Sequence, residues 1–571
     1  MKNFGVEKFK RLMLAGSCAV VVKVLLGVSD FVILGHFCGE EALAALNLIE
    51  PMMETVTFLA GLCGVGMGIC YAAETGRCNK RRAHEFFSQA FLTVVGCGLL
   101  VCGALWLLRE PFLAFMAPGA SIVSHARSYL AWYTPVALLE PLVVLLVNAA
   151  LADGDSRLCF ISYLALLAVN VVVSLATIGL LGAGGCALGT VAANVCALAV
   201  LCGHFLRGSN SFRLVRHFDW RDTLRIWRTS FGDASSFFFL AMLIFFLNKL
   251  VIARFGGGML PVLGAVAVTL SFHELFNGVG NGLAPIVTVY AGELNTKAIR
   301  LMMRVALRWV LAEGVIVSVV LAAFPRLVVL MLGIDDPGLS VAAERAVRLV
   351  ALGMVFHSVV DLFNSYYMFI ERAGMALLVT ALDGFVVPMA LAAAAVNMGL
   401  DALWMALAAA PALTVAVFFL FLVLRHGWRA VPWLLPAGRD ENIVMFDLAV
   451  EEREIVDTSR RVQETLAARG YPSAKAMRAA LMTEEVLMTV RDRNQGRALL
   501  AEVTLDMNHD AGGDAKTFVL TLRDDGDIFD ITDTDQDVSS LRAFLVASVM
   551  ERQPMRVNLV TTGFNRNVFR I

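Results

Sequence analysis

The sequence has little charge and confines its cysteines to one part of the chain. Asp, Glu, Lys and Arg make up 17% of the 571 residues and the formal net charge is −1, so no overall positive field exists to attract nucleic acid. All 11 cysteines lie between residues 18 and 202, and none belongs to a CxxC pair. This distribution argues against a disulfide framework and a zinc site, and we expect no metal ligands. A phosphate loop of the form GxxxxGK followed by Ser or Thr is also absent, which argues against a phosphate-loop ATP-driven pump.

Apolar sequence is abundant. Hydrophobic residues make up 58% of the chain and the mean hydropathy is +0.73, which is typical of membrane proteins. Charges are sparse up to about Arg425 and dense after Arg439, so we predict a membrane domain followed by a soluble tail. A transmembrane helix needs ~20 predominantly apolar residues. Twelve segments qualify, at residues 12–36, 42–72, 86–108, 124–151, 158–181, 185–206, 229–253, 261–290, 301–332, 346–370, 375–396 and 402–424.

The two halves of the membrane domain share sequence features. Gly64-Val-Gly-Met-Gly68 is echoed by Gly278-Val-Gly-Asn-Gly282, and each copy leads from an apolar segment to a basic loop. A second pair of matching turns lies at residues 148–155 and 364–374. We therefore predict a six-helix bundle at residues 1–210, a basic linker at 211–228 and a second six-helix bundle at 229–430.

The distribution of basic residues predicts the orientation. Lys and Arg collect at the amino terminus, in the linker and in alternate connections, whereas the other connections are acidic or uncharged. Because basic residues favour the cytoplasmic side, we place both termini and the tail in the cytoplasm of a bacterial cell, with the helices in its inner membrane. The bundles then share one orientation. The predicted fold class is an all-α polytopic membrane protein with twelve transmembrane helices in two parallel-repeat bundles, plus a small cytoplasmic α/β sandwich.

Ionisable residues inside the predicted spans are candidate functional groups, because each costs at least ~2.5–3.5 kcal/mol in hydrocarbon. We predict that Asp30, Asp361 and Glu274 bind a coupling proton or sodium ion. Lys249 is a candidate counter-ion, and it could equally pair with one of these acids simply to stabilise packing. The polar residues that we assign with it to a substrate cavity are Asn248, Asn277 and Asn364.

Further acids within or close to the membrane are Glu140, Glu313 and Asp383. Glu50 and Glu54 are predicted to be solvated, and His357 is predicted to be a packed histidine.

In the first span, Asp30 is followed by Gly35 and by Glu41-Ala-Leu-Ala-Ala45. This pattern resembles the first span of the multidrug and toxic compound extrusion (MATE) transporters, and Gly282-Leu-Ala-Pro285 with Tyr290 resembles a family stretch in the second half. The resemblance covers about residues 10–425. It implies export of organic cations and drugs against a proton or sodium gradient, with Asp30 and Asp361 matching the family's first-span and tenth-span acids.

The sequence departs from the MATE pattern in two places. Asn170-Val-Val-Val-Ser174 carries Ser where the family usually has Asp, and residues 237–246 lack the family's seventh-span acid. Coupling could therefore be reduced or arranged differently.

The tail, residues 440–571, is predicted to be a small α/β domain. Strands are predicted at residues 441–450, 501–507, 517–522, 557–561 and 567–571, and helices at 451–469, 474–493 and 538–550.

The tail resembles the histidine-kinase-like ATP-binding domain of anti-sigma-factor kinases. Thr483-Glu-Glu-Val-Leu-Met-Thr489 resembles the helix that carries a Glu (here Glu485) and a magnesium-binding Asn, which Thr489 replaces. Asp524-Asp-Gly526 resembles the adenine-binding turn, and Ser539-Ser-Leu-Arg-Ala543 replaces the glycine-rich lid. The resemblance implies ATP or ADP at Glu485, Thr489, Asp524 and Gly526, or a domain that kept the fold and lost the ligand. We expect no ATP turnover.

These features favour a monomeric secondary transporter that exchanges H⁺ or Na⁺ for an amphipathic organic cation and is not an enzyme. Its tail would gate the cytoplasmic side and could bind a cytoplasmic regulatory protein, and the spans contact membrane lipid. A flippase of lipid or polyprenyl-linked sugars is an alternative, because Lys249 and the missing acids suit phosphate groups. A membrane-anchored signalling protein with the tail as output is a third.

Overall fold

The computed structural model describes residues 3–76, 79–116, 119–152, 155–205, 212–435, 442–508, 517–527, 555–557 and 564–571. The chain divides into two compact units. The helical unit comprises Ala15–Gly280 and Leu307–Arg425, and the tail unit comprises Met1–Leu14, Asn281–Ala306 and His426–Ile571. The tail unit thus includes two segments that lie outside the predicted tail domain.

Most of the described residues are helical. Seventeen α-helices precede the tail sheet: α1 Phe4–Cys38, α2 Glu40–Gly76, α3 Lys80–Met116, α4 Ala120–Tyr133, α5 Val136–Ala152, α6 Ser156–Leu181, α7 Ala183–Phe205, α8 Trp220–Phe255, α9 Leu260–Ser271, α10 Asn277–Gly292, α11 Thr296–Ala323, α12 Pro325–Met331, α13 Pro337–Ala351, α14 Met354–Phe369, α15 Ala373–Ala381, α16 Val387–Ala395 and α17 Leu400–His426. Short 3₁₀ turns at Gly257–Met259, Phe272–Phe276 and Val396–Met398 and a π-helical turn at Leu382–Val386 connect some of them.

The helices are long and apolar enough to cross a membrane. Among the described residues, ten helical stretches qualify, and up to twelve if each of two bent pairs is one span. The bent pairs are α4 with α5, at 50°, and α13 with α14, at 47°. They overlap the predicted fourth and tenth segments, which are six segments apart. The expectation of a multi-pass membrane protein is confirmed, while the two-repeat arrangement remains a prediction.

Side-chain caps and glycines fix where several helices begin and end. Asp155, Asp219 and Asp336 accept hydrogen bonds from backbone N–H groups of the first turns of α6, α8 and α13, groups that have no partner within the helix. Gly182 ends α6 with a φ of 56°, a conformation that glycine adopts without strain. Because α8 begins at Trp220, the last part of the predicted linker is helical, and residues 212–219 have no regular secondary structure.

The tail contains a five-stranded antiparallel sheet in the order β1-β2-β3-β5-β4, formed by β1 Ile443–Ala449, β2 Leu500–Asp506, β3 Val519–Asp524, β4 Met555–Val557 and β5 Asn565–Arg570. Helices α18 Glu452–Ala468 and α19 Ser473–Arg493 follow β1. The predicted sheet and its first two helices are therefore present. The predicted helix at 538–550 lies outside the described residues, and the predicted strand at 557–561 overlaps them only at Val557.

Apolar and polar residues alternate along the strands, so the two faces of the sheet differ in character. One face carries apolar residues such as Val503 and Leu520, which form a core with Ile455 and Leu487 of α18 and α19. The other face carries a charged row in cross-strand register, in which Asp447 pairs with Glu502, Glu502 with Arg523 and Arg523 with Arg566. Successive strand residues point to opposite faces, so one short stretch supplies both the core and this charged row.

Candidate functional site

Asp30 is buried in the helical unit and is hydrogen-bonded by three neutral side chains. The Tyr129 hydroxyl donates to Oδ2 at 2.6 Å, the Thr190 hydroxyl to Oδ2 at 3.0 Å, and Asn170 Nδ2 to Oδ1 at 3.2 Å. These donors come from α4, α7 and α6, and only 7% of Asp30 is exposed. Among the described residues, no basic side chain forms an ion pair with it. The arrangement can hold a carboxylate in either protonation state, because the two hydroxyls can turn from donor to acceptor.

Close packing of α6 against α7 brings the Asp30 partners together. A Cβ atom at Gly189 would lie 2.0 Å from the Ser174 hydroxyl, and one at Gly185 would lie 2.6 Å from the backbone of Thr177. Only glycine permits this approach. Ser174, which stands where the MATE pattern has Asp, donates instead to the Cys186 carbonyl at 3.3 Å and makes no hydrogen bond to Asp30 among those described.

Four glutamates and one lysine form a second group, which we call the acid cluster: Glu50, Glu54, Glu140, Glu274 and Lys23. The Lys23 ammonium lies 2.8 Å from Glu274 Oε2, and Thr57 donates to Glu140 Oε1 at 2.9 Å. Glu54 is within electrostatic range of the other four members. Oε2 of Glu50 and of Glu54 is buried and accepts no hydrogen bond from the described residues.

The prediction that Glu50 and Glu54 are solvated is therefore wrong for their Oε2 atoms. Helix α2 begins at Glu40, and at ~1.5 Å per residue these acids lie roughly 15 and 21 Å along it. They consequently reach the depth of the other charged groups.

Aromatic side chains lie beside the acid cluster. Lys23 Nζ is 5.3 Å from the centre of the Phe237 ring. Phe58, one helical turn after Glu54, packs against Phe231 and Phe238 of α8, with ring centres 6.3 and 5.6 Å apart. Carboxylates next to aromatic faces are the groups that bind organic cations.

A third group surrounds Asp361. His357 shares a 3.0 Å hydrogen bond with Asp383 Oδ2, and the His357 and His273 rings are 5.8 Å apart. Asp361 Oδ2 is buried without a hydrogen bond among the described residues, and the carboxylate is within electrostatic range of both histidines and of Glu274. Asp383 lies in the π-helical turn, a local widening that is frequent at functional sites. His357, expected to be a packed histidine, thus binds an acid.

The predicted cavity residues make no hydrogen bonds to one another among the described contacts. The Lys249 ammonium donates to the Phe115 carbonyl and lies 4.2 Å from the Phe115 ring centre, so among the described contacts it does not pair with the acids. Asn248 is fully buried and exchanges hydrogen bonds with Asn47. Asn364 accepts from Thr380 at 3.3 Å, and Asn277 is exposed at the start of α10.

Sequence reasoning missed Lys23, Tyr129, Thr190 and His273. Lys23 had a usable signal, because it is the one charged residue between Arg11 and Asp30 and precedes Asp30 by two helical turns, on the same helix face. Tyr129 and Thr190 had no sequence signal, because hydroxyl groups are common in membrane helices and do not by themselves mark a site.

In the tail, Asp524 and Gly526 meet at one turn. Asp524 Oδ1 accepts from Asn565 Nδ2 at 2.7 Å and from the Gly526 N–H at 3.0 Å, while Oδ2 is buried and accepts no described hydrogen bond. Burial raises the pKa of Asp524 to about 6. On α19, the Thr489 hydroxyl donates to the Glu485 carbonyl at 2.8 Å. The lid at residues 539–543 lies outside the described residues.

The charged face of the tail sheet binds two other segments of the tail unit. Asp447 accepts from the Phe4 N–H at 2.8 Å and from Asn3 at 2.9 Å. Arg523, 1% exposed, forms ion pairs with both Glu502 and Glu293. Further contacts at this sheet join Tyr290 to Glu502 at 2.7 Å, Arg566 to Glu293 at 2.8 Å and Arg11 to Asp525 at 2.8 Å.

Together these observations define a polytopic membrane protein with several buried acids. The MatE family model matches residues 17–176, a range that includes Asp30, Tyr129 and Asn170. No curated protein matches the chain.

Solved structures match over most of the chain. An inward-facing conformation of a multidrug resistance MATE family transporter of the MOP superfamily is 18% identical, with a TM-score of 0.64, and covers 70% of this chain and 94% of its own. Two further matches are each 18% identical, with a TM-score of 0.62, and cover 74% of this chain and 96% of their own. One is an outward-facing conformation of a multidrug resistance MATE family transporter of the MOP superfamily. The other is a MOP superfamily transporter from Pyrococcus furiosus, and its binding pocket is described as having reverse polarity. The protein therefore has the fold of the MATE transporters.

Proposed function

We propose that the protein is a MATE-type secondary transporter that exports organic cations from the bacterial cytoplasm in exchange for H⁺ or Na⁺. The acid cluster is the observation that carries this proposal. Among the described residues, four glutamates and one lysine cluster beside several phenylalanine rings, which gives an acidic and aromatic environment within the spans. Such an environment favours an amphipathic cation and disfavours an anion.

Asp30 is the proposed coupling residue of the first half. A proton or Na⁺ at this carboxylate would neutralise a buried charge, and the hydroxyls of Tyr129 and Thr190 can reorient to match the new state. The change would alter how α4, α6 and α7 hold α1. Glu274 and Asp361, which lie within electrostatic range of each other, are the proposed coupling acids of the second half. The bundles would rock to give alternating access.

The acid cluster also weighs against a flippase of lipid or polyprenyl-linked sugar. Phosphate groups in the cluster would find four glutamates and one lysine, which is a poor set of ligands for an anion. Lys249, the residue that favoured this alternative, donates to the Phe115 carbonyl. No observation on the described residues favours the flippase over the exporter.

We propose a regulatory role for the tail. Its sheet holds the first turn of α1 through Asp447 and the α10–α11 connection through Arg523 and Glu293. In the MATE fold these helices belong to different halves, so their release or retention would affect rocking. A nucleotide is a candidate signal, because Oδ2 of Asp524, which accepts no hydrogen bond from the described residues, could accept from an adenine amino group, with Gly526 leaving room for the base. Thr489 suits magnesium poorly, since its hydroxyl is bonded to the Glu485 carbonyl.

Reconstituted vesicles with an imposed H⁺ or Na⁺ gradient test the transport proposal. We expect the gradient to drive accumulation of ethidium by the wild type and expect Asp30→Asn and Asp361→Asn to reduce it by at least about tenfold, which corresponds to roughly 1.4 kcal/mol. Asp401→Asn is the control, because Asp401 forms an exposed ion pair with Arg345. If both neutral variants move ethidium as fast as the wild type under either gradient, the proposal fails.

Binding of a fluorescent ATP analogue to the full chain tests the nucleotide hypothesis. We expect Asp524→Asn to weaken binding and Asp457→Asn, which alters an exposed pair with Arg460, to leave it unchanged. Equal binding by Asp524→Asn and the wild type, or no binding by either, would exclude Asp524 as an adenine ligand.

A further inference from the structure

Lys23 projects from the first span into the acid cluster. It lies in the apolar part of α1, Val20–Cys38, and its ammonium is 2.8 Å from Glu274 Oε2. The Phe237 ring centre is 5.3 Å from the same nitrogen. Glu54 and Glu140 are within electrostatic range. A carboxylate contact combined with an aromatic face is the environment in which proteins bind organic ammonium groups.

The protein encloses Lys23 only partly, although this residue is paired. Its side chain is 47% exposed, against 23% for Glu274. A buried ion pair that only stabilises packing is normally enclosed, because its strength depends on the exclusion of water. An open pair is weaker than an enclosed one, and the flexible stem of lysine lets the ammonium move away from the carboxylate.

The acid cluster has capacity for a further cation. The Oε2 atoms of Glu50 and Glu54 are buried and accept no hydrogen bond from the described residues, while Thr57 is the one described hydrogen-bond donor to Glu140. The cluster therefore offers carboxyl oxygens that no described donor occupies, and a buried acceptor without a donor is costly.

We propose that Lys23 is a tethered occupant of the cation site. When no substrate is bound, its ammonium pairs with Glu274 and faces Phe237, and the charged group of an organic cation displaces it. This inference rests on the proposed function. It makes Lys23 a specificity-determining residue. The ammonium lowers affinity for singly charged substrates by competing for Glu274, and it keeps this acid neutralised while the site is empty.

Equilibrium binding of tetraphenylphosphonium to the full chain in detergent tests the inference. Lys23→Gln removes the tethered charge, and we expect its dissociation constant to fall by about tenfold or more, because a like charge next to the bound cation is lost. Lys23→Arg keeps the charge and should bind no more tightly than the wild type. Arg127→Gln is the matched control, because it removes one positive charge from the exposed ion pair with Glu110, and it should leave the dissociation constant unchanged.

A second measurement separates displacement from a purely structural pair. In reductively ¹³C-methylated protein, the signal of Lys23 is identified by its absence from Lys23→Arg. We expect this signal to shift when tetraphenylphosphonium binds. If the wild type binds the probe but the signal is static and Lys23→Gln binds no more tightly, the inference fails and the proposed function stands. If neither the wild type nor any variant binds or transports an organic cation, both fail.

Discussion

Asp447 in the tail sheet accepts a 2.8 Å hydrogen bond from the backbone N–H of Phe4, the first residue of the helix that carries Asp30. The first N–H groups of a helix have no partner within it, and a carboxylate there also interacts favourably with the helix dipole. A residue 443 positions away in the chain thus caps α1. The charged face of the sheet is consequently a binding surface for other segments of the tail unit.

Removing this cap should loosen the start of α1. We expect Asp447→Ala to lower the local stability of residues 4–8 by about 1 kcal/mol, which is the usual worth of a helix cap, and so to speed their hydrogen exchange roughly fivefold. Exchange measured by mass spectrometry on the full chain checks this. Glu464→Ala, which touches only a loose exposed pair with Arg460, is the control, and equal exchange in both variants would contradict a capping role.

The buried Arg523 ion pairs should matter more than any exposed pair of the tail. Arg523→Met would leave Glu502, which is fully buried, without its ionic partner, and breaking a buried pair on one side costs roughly 3–5 kcal/mol. We expect the urea-induced unfolding transition of the tail to shift by this free energy. Arg497→Met, at an exposed pair with Asp527, should cost less than about 1 kcal/mol. Similar shifts in the two variants would show that the Arg523 contacts add little.

Asp524 should give the tail a distinctive pH dependence. Burial raises the pKa of this carboxyl from 3.8 to about 6, so between these values the folded tail keeps a proton that the unfolded chain has lost. The unfolding free energy should therefore fall as pH rises from about 4 to about 6, by about 3 kcal/mol in total, and be insensitive to this group at higher pH.

Asp524→Asn isolates that effect, because the amide does not titrate. The difference between wild-type and variant unfolding free energies, measured in urea at several pH values, should change across this window and be constant above it. A difference that is independent of pH would mean that Asp524 is ionised in the folded tail.

Glu54 should contribute to cation affinity. Its Oε2 is buried without a described hydrogen bond beside three other glutamates, so Glu54→Gln removes an acid that can ionise next to a bound cation without altering the shape of the cluster. We expect the Michaelis constant for ethidium transport to rise about tenfold, which corresponds to ~1.4 kcal/mol of electrostatic interaction. Glu41→Gln, on the same helix and bonded to Ser121, should transport normally. An unchanged Michaelis constant in Glu54→Gln would place the substrate elsewhere.

Local patterns in the sequence were sufficient to predict the helices of the membrane domain and most strands of the tail. Long apolar runs predict helices that must satisfy their own backbone hydrogen bonds in lipid, and alternation of apolar and polar residues predicts the strands of the tail. Asp30 and Asp361 stood out because a carboxylate in an apolar run is costly wherever the chain folds. These inferences need no knowledge of which segments become neighbours.

Tertiary structure decided which groups meet. Lys23, not Lys249, pairs with Glu274, and Tyr129 reaches Asp30 from 99 residues away in the chain. Such pairings depend on how helices pack, which at Gly185 and Gly189 is set by contacts of a few ångströms. The sequence by itself therefore determined the membrane-spanning helices, the tail sheet and the cost of burying particular acids, because these follow from local solvation and periodicity. Only the folded chain decided how each acid is partnered, because electrostatic and hydrogen-bond energies depend on distances between residues that are remote in sequence.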